Sequence, residues 1–198
     1  MKSRSKTKAY TVKYRRIREG KTNYKSRLKL LSSSMFRAVV RKGINNFSVQ
    51  IIEFGEKGDK ALVSVHSREL LKYGWKVHRG NLPSAYLSGY LCGLKALKKK
   101  INNCVLDIGL NRAIGKSSLF AVVKGLRDAG VNIPCSEEVL PSNDMINGKN
   151  IADYAVYLGK NKEIYEKQFS KYLKEGIKPE EITKYFSEVK KKIEEKWH

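Results

Sequence analysis

The sequence predicts an α/β protein: a body with a mixed sheet and helices in the order βββαβα, between a basic N-terminal arm and a helical C-terminal extension. Three observations predict it. Short β-branched runs separated by turn-like segments follow one another between residues 37 and 65. Two helix-period segments then flank a short apolar run. The Lys and Arg excess is concentrated before the first strand, and helical patterning returns after residue 150. The boundaries that follow are 1–34 for the arm, 35–134 for the body and 135–198 for an irregular connection and helical extension. At 198 residues the chain is long enough to bury a core without metal or disulfide staples.

In the arm, Tyr10 to Leu31 reads as one or two short helices broken at Gly20, with Thr22 as a cap for a second helix through Lys29. Arg37–Arg41 (RAVVR), Phe47–Phe54 and Lys60–Val65 read as three strands of an antiparallel meander, joined at Gly43-Ile44-Asn45-Asn46 and at Gly55 to Asp59. Ser84 to Lys100 follows as a helix whose small residues Ala85, Gly89 and Gly93 would let it lie close on the sheet. Cys104–Ile108 is a buried strand, and Ser117–Asp128 a helix with Leu119, Phe120, Val123 and Leu126 inward, stopped at Gly130. Ile133-Pro134 and Leu140-Pro141 bracket the irregular connection. Helical segments are expected over Ile151–Leu158, Lys162–Lys174 and Pro179–Lys196, the last with an apolar row of Ile182, Tyr185, Phe186, Val189 and Ile193 that suits packing.

The formal charge is +22, from 41 Lys and Arg against 19 Asp and Glu. Residues 1–30 alone hold 12 basic residues against the single acid Glu19, which is half of the excess. Neutralising phosphates releases condensed counterions, so such a surplus favours a polyanionic partner. A solvated tail or an arginine-rich presequence would also be basic. Tyr10, Tyr14 and Tyr24 lie among the charges, however, and aromatic rings beside Arg suit stacking on bases and riboses. The arm lacks the apolar stretch of a signal peptide, and no run approaches the roughly 20 residues of a membrane span. A cytoplasmic protein with no membrane partner is expected.

No catalytic set emerges. Gly109-Leu110-Asn111-Arg112-Ala113-Ile114-Gly115-Lys116-Ser117 resembles a phosphate-binding loop, but five residues separate its glycines where the nucleotide-hydrolysing pattern has four. Lys116 at a helix start still suits an RNA phosphate. Glu53, Asp107 and Asp128 fall on elements of different kinds and form no acid–base pair. Cys92, Cys104 and Cys135 form no CxxC pair and lie apart from the histidines, so buried reduced thiols are expected rather than a metal site. No enzyme activity and no cofactor are expected.

Four stretches in order carry a resemblance: RRIREGKTNY (15–24) with RLKLL (27–31); HSRELLKYGW (66–75) running into GNLPSAY (80–86); LDIGLNR (106–112) with residues 125–130; and NGKNIADY (147–154) with QFSKY (168–172). Together they resemble the large-subunit ribosomal protein that carries 5S ribosomal RNA, the eighteenth protein family of that subunit in bacterial naming. The length and helical tail look like the archaeal form, and the tail is also similar to the eukaryotic cytosolic relative. The resemblance implies a structural protein that binds 5S rRNA and helps fix it to the large-subunit (23S-type) rRNA in the central protuberance, beside neighbouring ribosomal proteins. Carried over by position, it implies RNA contacts from Arg15, Arg16, Arg18, Lys21, Thr22, Asn23, Tyr24 and Arg27 of the arm. Arg41 and Lys42 of the basic first strand and Lys116 of the loop before the second body helix complete the expected set. Arg112 to Gly115 departs from the Thr-rich or Pro-rich loop of many relatives.

Overall fold

The computed structural model describes residues 11–197. Tyr10, expected among the stacking aromatics, lies outside them. Three strands, β1 (Phe36–Lys42), β2 (Phe47–Glu53) and β3 (Lys60–His66), form the expected meander. β4 (Cys104–Asp107) adds to β1 in parallel, with Ala38 opposite Leu106, so the sheet is mixed with the order β3-β2-β1-β4. Period-two alternation sorts the side chains. Ala38, Val40, Phe47, Val49, Ile51, Val63, Val65 and Cys104 enter the core.

That face is covered by α3 (Leu82–Lys98) and α4 (Ser118–Asp128). α3 starts two residues earlier than the pattern predicts, because Asn81 caps it through a bond from the Ser84 amide (3.0 Å) and Pro83 sits in its first turn. The small-residue row of α3 meets α4 rather than the sheet. A Cβ on Gly89 would fall 2.2 Å from the Val122 carbonyl oxygen, and one on Gly125 would fall 2.3 Å from that of Tyr86. Residues 85, 89 and 93 form one i, i+4 ridge, and the Gly125–Ala129 ridge of α4 crosses it where neither backbone carries bulk. Burial pushes the Cys92 thiol up to about 12 and that of Cys104 up to about 11, while Cys135 is half-buried.

Between β3 and α3 lies a 3-10 helix, Ser67–Tyr73, that the sequence pattern does not anticipate. The His66 ring accepts from the Arg68 amide, and Glu69 accepts from the His66 amide (3.1 Å), so both ends of the first turn are satisfied. The arm forms two helices, α1 (Arg15–Arg18) and α2 (Tyr24–Leu31), with Gly20 in a left-handed conformation between them.

In the extension, α5 (Asn143–Asn147) precedes α6 (Lys149–Leu158). The segment expected as one helix over Lys162–Lys174 is broken into α7 (Lys162–Gln168) and α8 (Ser170–Lys174). Phe169 (φ −101°, ψ 18°) leaves helical geometry at the break and its ring is buried beside Tyr165 and Tyr172. After a 3-10 turn at Pro179–Glu181, α9 (Ile182–Trp197) delivers Ile182, Phe186, Val189 and Ile193 into the body's own core. Tyr90 donates to Glu194 (3.0 Å) and the Trp197 indole donates to the Tyr73 hydroxyl (2.8 Å), which pins the last turn of α9 to α3 and to the 3-10 helix. No helix among the described residues is long and apolar enough to cross a membrane.

Candidate nucleic-acid interface

The sheet face opposite α3 and α4 carries Arg37, Val39 and Arg41 from β1, because alternation that turns Ala38 and Val40 inward must turn these outward. The second wall comes from the arm. Arg16, Lys21, Thr22, Asn23 and Arg27 line a groove of about 160 Å³ together with Arg37, Arg41 and Gly109.

A ladder of five charges holds these walls together. Arg27 Nη2 lies 2.8 Å from Asp59 Oδ1, and Arg37 Nη2 lies 2.7 Å from Asp59 Oδ2. Arg37 Nη1 reaches Asp107 Oδ2 at 3.2 Å, and Arg41 Nη2 reaches Asp107 Oδ1 at 3.0 Å. Arg41 also donates to the Asp107 carbonyl (2.8 Å), and the Gly109 amide donates to the Asp107 carboxylate (2.9 Å). Gly109 has φ +65°, and a Cβ there would sit 3.0 Å from the Arg41 guanidinium carbon, so a bare backbone makes room for the arginine. Arg37 is 2% exposed, which makes it the buried centre of the ladder. Burial pushes the Asp59 carboxyl up, but hydrogen bonds from Arg37 and Arg27 outweigh that and hold it below its ordinary value. Three guanidinium groups against two carboxylates leave a positive groove floor.

The expected site residues divide by position. Arg16, Lys21, Thr22, Asn23, Arg27 and Arg41 come together in the groove. The cap of α2 is Asn23, whose side chain accepts from the Ser26 amide (3.1 Å); Thr22 instead accepts from Arg16 Nε (2.9 Å). Both residues can cap, and Asn23 lies one position closer to the first helical residue. Arg15 and Arg18 are exposed on α1, where Arg15 faces Glu19 loosely at 3.7 Å and Lys21 pairs with the same Glu19 at 2.9 Å. Tyr24 pairs with Tyr14 at 5.5 Å between ring centroids, a partly exposed aromatic couple among the cations.

Lys42 and Lys116 lie outside the groove. Lys42 borders a separate depression with Asn81 and Ser117, at the starts of α3 and α4. Lys116 is exposed in the loop before α4, with φ +58° and its amide donating to the Val139 carbonyl (2.7 Å). Sequence reasoning missed Arg37, Asp59 and Asp107 as parts of the site. The i, i+4 spacing of Arg37 and Arg41 in one strand was the available signal, since it places both on the face that Ala38 and Val40 leave.

The arrangement can bind polyanions and stack bases. It presents mobile-stemmed Arg side chains over an anchored cationic floor, with an aromatic pair alongside. The arm helices α1 and α2, the meander and α3 all fall within residues 8–103, and this stretch matches the family described as ribosomal large subunit proteins 60S L5 and 50S L18.

Proposed function

We propose that this protein binds 5S rRNA and helps attach it to the 23S-type rRNA of the large subunit, in the central protuberance and beside neighbouring ribosomal proteins, without catalysing a reaction. The observation that carries the reading is the groove in which arm cations meet Arg41 over the Arg37 ladder, in a chain whose residues 8–103 match this family. Residues 1–34 act as the RNA-binding arm. Arg15, Arg16 and Arg18 provide the first electrostatic contacts, and Arg27 and Arg41 are held where a phosphate can displace or share their carboxylate partners. Lys42 and Lys116 extend the contact around the body. Shape, unstacked bases and 2′-hydroxyls supply specificity, because the deep, narrow major groove of A-form RNA hides base edges from side chains. The protein acts in the cytoplasm.

Two measurements test this. RNA recovered with the tagged protein should be enriched in 5S rRNA. The triple substitution Arg15→Glu, Arg16→Glu, Arg18→Glu should weaken 5S rRNA binding severely in a filter assay while the body stays folded. Unchanged affinity would remove the arm from the mechanism.

A further inference from the structure

A second depression, which shares no residue with the arm groove, opens between the loop after the 3-10 helix and the extension. Its volume is about 510 Å³, within the roughly 300–1,000 Å³ of sites that take small molecules. Its wall is aromatic. The Phe169 ring is buried, stands edge-on to Tyr172 (5.6 Å, 90°) and lies 6.4 Å from Tyr154, which remains 46% exposed. A ring left half open beside buried Phe169 and half-buried Tyr172 offers a face for stacking that packing has not used.

His78 closes the slot. Its Nδ1 accepts from the Gly80 amide (3.2 Å), which leaves Nε2 to donate toward Asn45 Oδ1 (3.4 Å). Burial, then the charges of Lys171 and Arg79, lower its pKa below the ordinary histidine value, so the ring is a neutral platform at pH 7. The slot continues through His78, Lys171 and Tyr172 into a smaller depression rimmed by Lys76, Arg79 and Lys174. Four cations, of which Lys171 also lines the slot, therefore border this adjoining depression against one carboxylate, Glu175.

From this juxtaposition we propose that the slot between His78, Tyr154, Phe169 and Tyr172 receives an unstacked RNA base, with the adjoining phosphates held by Lys171, Arg79, Lys76 and Lys174. The inference rests on the RNA-binding reading and adds to it a nucleotide-sized site built by residues far from the arm in sequence. Stacking is tolerant of base identity because every base has a π-face, so the site takes a flipped or single-stranded nucleotide rather than a particular letter. A cationic rim favours a nucleotide over an apolar peptide, whose flanks would gain nothing from four positive charges.

The test uses the full chain, a fluorescent RNA pentamer and a pentamer of abasic ribose phosphates with the same backbone. Binding is compared at low salt by anisotropy. With the arm altered by Arg15→Glu, Arg16→Glu and Arg18→Glu, the protein should still prefer the base-bearing pentamer. Adding Tyr154→Ala should cost about 5- to 140-fold in affinity for that pentamer, the range for loss of one stacked base, and little for the abasic one. Lys171→Glu should weaken both pentamers. Tyr154 and Lys171 are exposed, so neither change threatens the fold. Equal affinity for the two pentamers, or a preference that survives Tyr154→Ala, overturns the proposal. If Tyr154→Ala leaves pentamer binding intact but reduces incorporation into large subunits, the slot belongs to a protein partner and the proposal is likewise overturned. Because the pentamers contain no 5S sequence, failure here is distinct from failure of 5S recognition.

Discussion

Replacing Arg37 by Met tests the ladder beneath the groove. The Arg37 side chain is 3% exposed and lies within 3.2 Å of two carboxylates, so its removal leaves Asp59 and Asp107 without their shared partner. Breaking a buried pair by deleting one member costs about 3–5 kcal/mol, against about 0–1 kcal/mol for an exposed pair. Here Asp59 keeps Arg27 and Asp107 keeps Arg41, and Met refills part of the volume, so the lower end, about 3 kcal/mol, is expected. For a chain of this size about 2–4 °C of midpoint accompanies each kcal/mol, which gives a fall of about 6–12 °C in thermal unfolding followed by circular dichroism. Arg15→Gln, which removes only the loose and exposed contact to Glu19, is the control and should leave the midpoint unmoved. RNA affinity should fall as well at a temperature where the variant is folded, since Arg27 and Arg41 lose the anchor between their carboxylates. A midpoint within about 2 °C of the parent would refute the reasoning, because it would mean that Arg37 contributes no more than a surface ion pair.

Three other perturbations have equally definite outcomes. The slope of log affinity for 5S rRNA against log salt should shrink by about 2–3 when Arg15, Arg16 and Arg18 become Gln, at about 0.7–0.9 for each phosphate no longer neutralised; an unchanged slope would show that these three meet no phosphate. Gly125→Ala should destabilise by about 3 kcal/mol or more in urea unfolding, because the added carbon would meet the Tyr86 carbonyl at 2.3 Å and the Tyr90 amide at 2.7 Å, and α3 and α4 would have to part. Asp59, whose carboxyl is held below 3.8 when folded, contributes stability that is present above its unfolded value and lost as the pH falls through the folded one. The parent should therefore lose more of its thermal midpoint between about pH 5 and pH 3 than Asp59→Asn, and parallel losses would contradict the pairing.

The meander was legible because β-branched runs alternate cleanly and their turns are marked by Gly, Asn and Asp. α4 was legible because its apolar positions recur at helical spacing. The arm's cations were equally plain, being a matter of composition. What escaped were features decided by tertiary placement. The Ser67–Tyr73 turn is too short to show a period, and its stability lies in His66 and Glu69 reaching back to two amides. The break at Phe169 is invisible in a segment of good helix formers, because burial of one ring among tyrosines overrides local propensity. Gly89 and Gly93 announced a close approach, but the partner is α4 and not the sheet that was expected, because spacing shows which face is bare and not what meets it. Arg37 read as one more basic residue, since alternation gives its face but not the two aspartates, far along the chain, that meet it there.

The docking of α9 carries a consequence for the order in which the molecule is made. Tyr90 meets Glu194 across 104 positions and Tyr73 meets Trp197 across 124, so the last stretch of apolar interior cannot close until residues near 197 have emerged. Synthesis starts from the opposite end, so the cationic segment is outside before any of this is complete. A nascent chain thus passes through a period in which its positive end is ready for a polyanion while the seat of α9 on α3 is bare and adhesive. Exposure of the cationic front and late sealing of the rear are, in this topology, separate events.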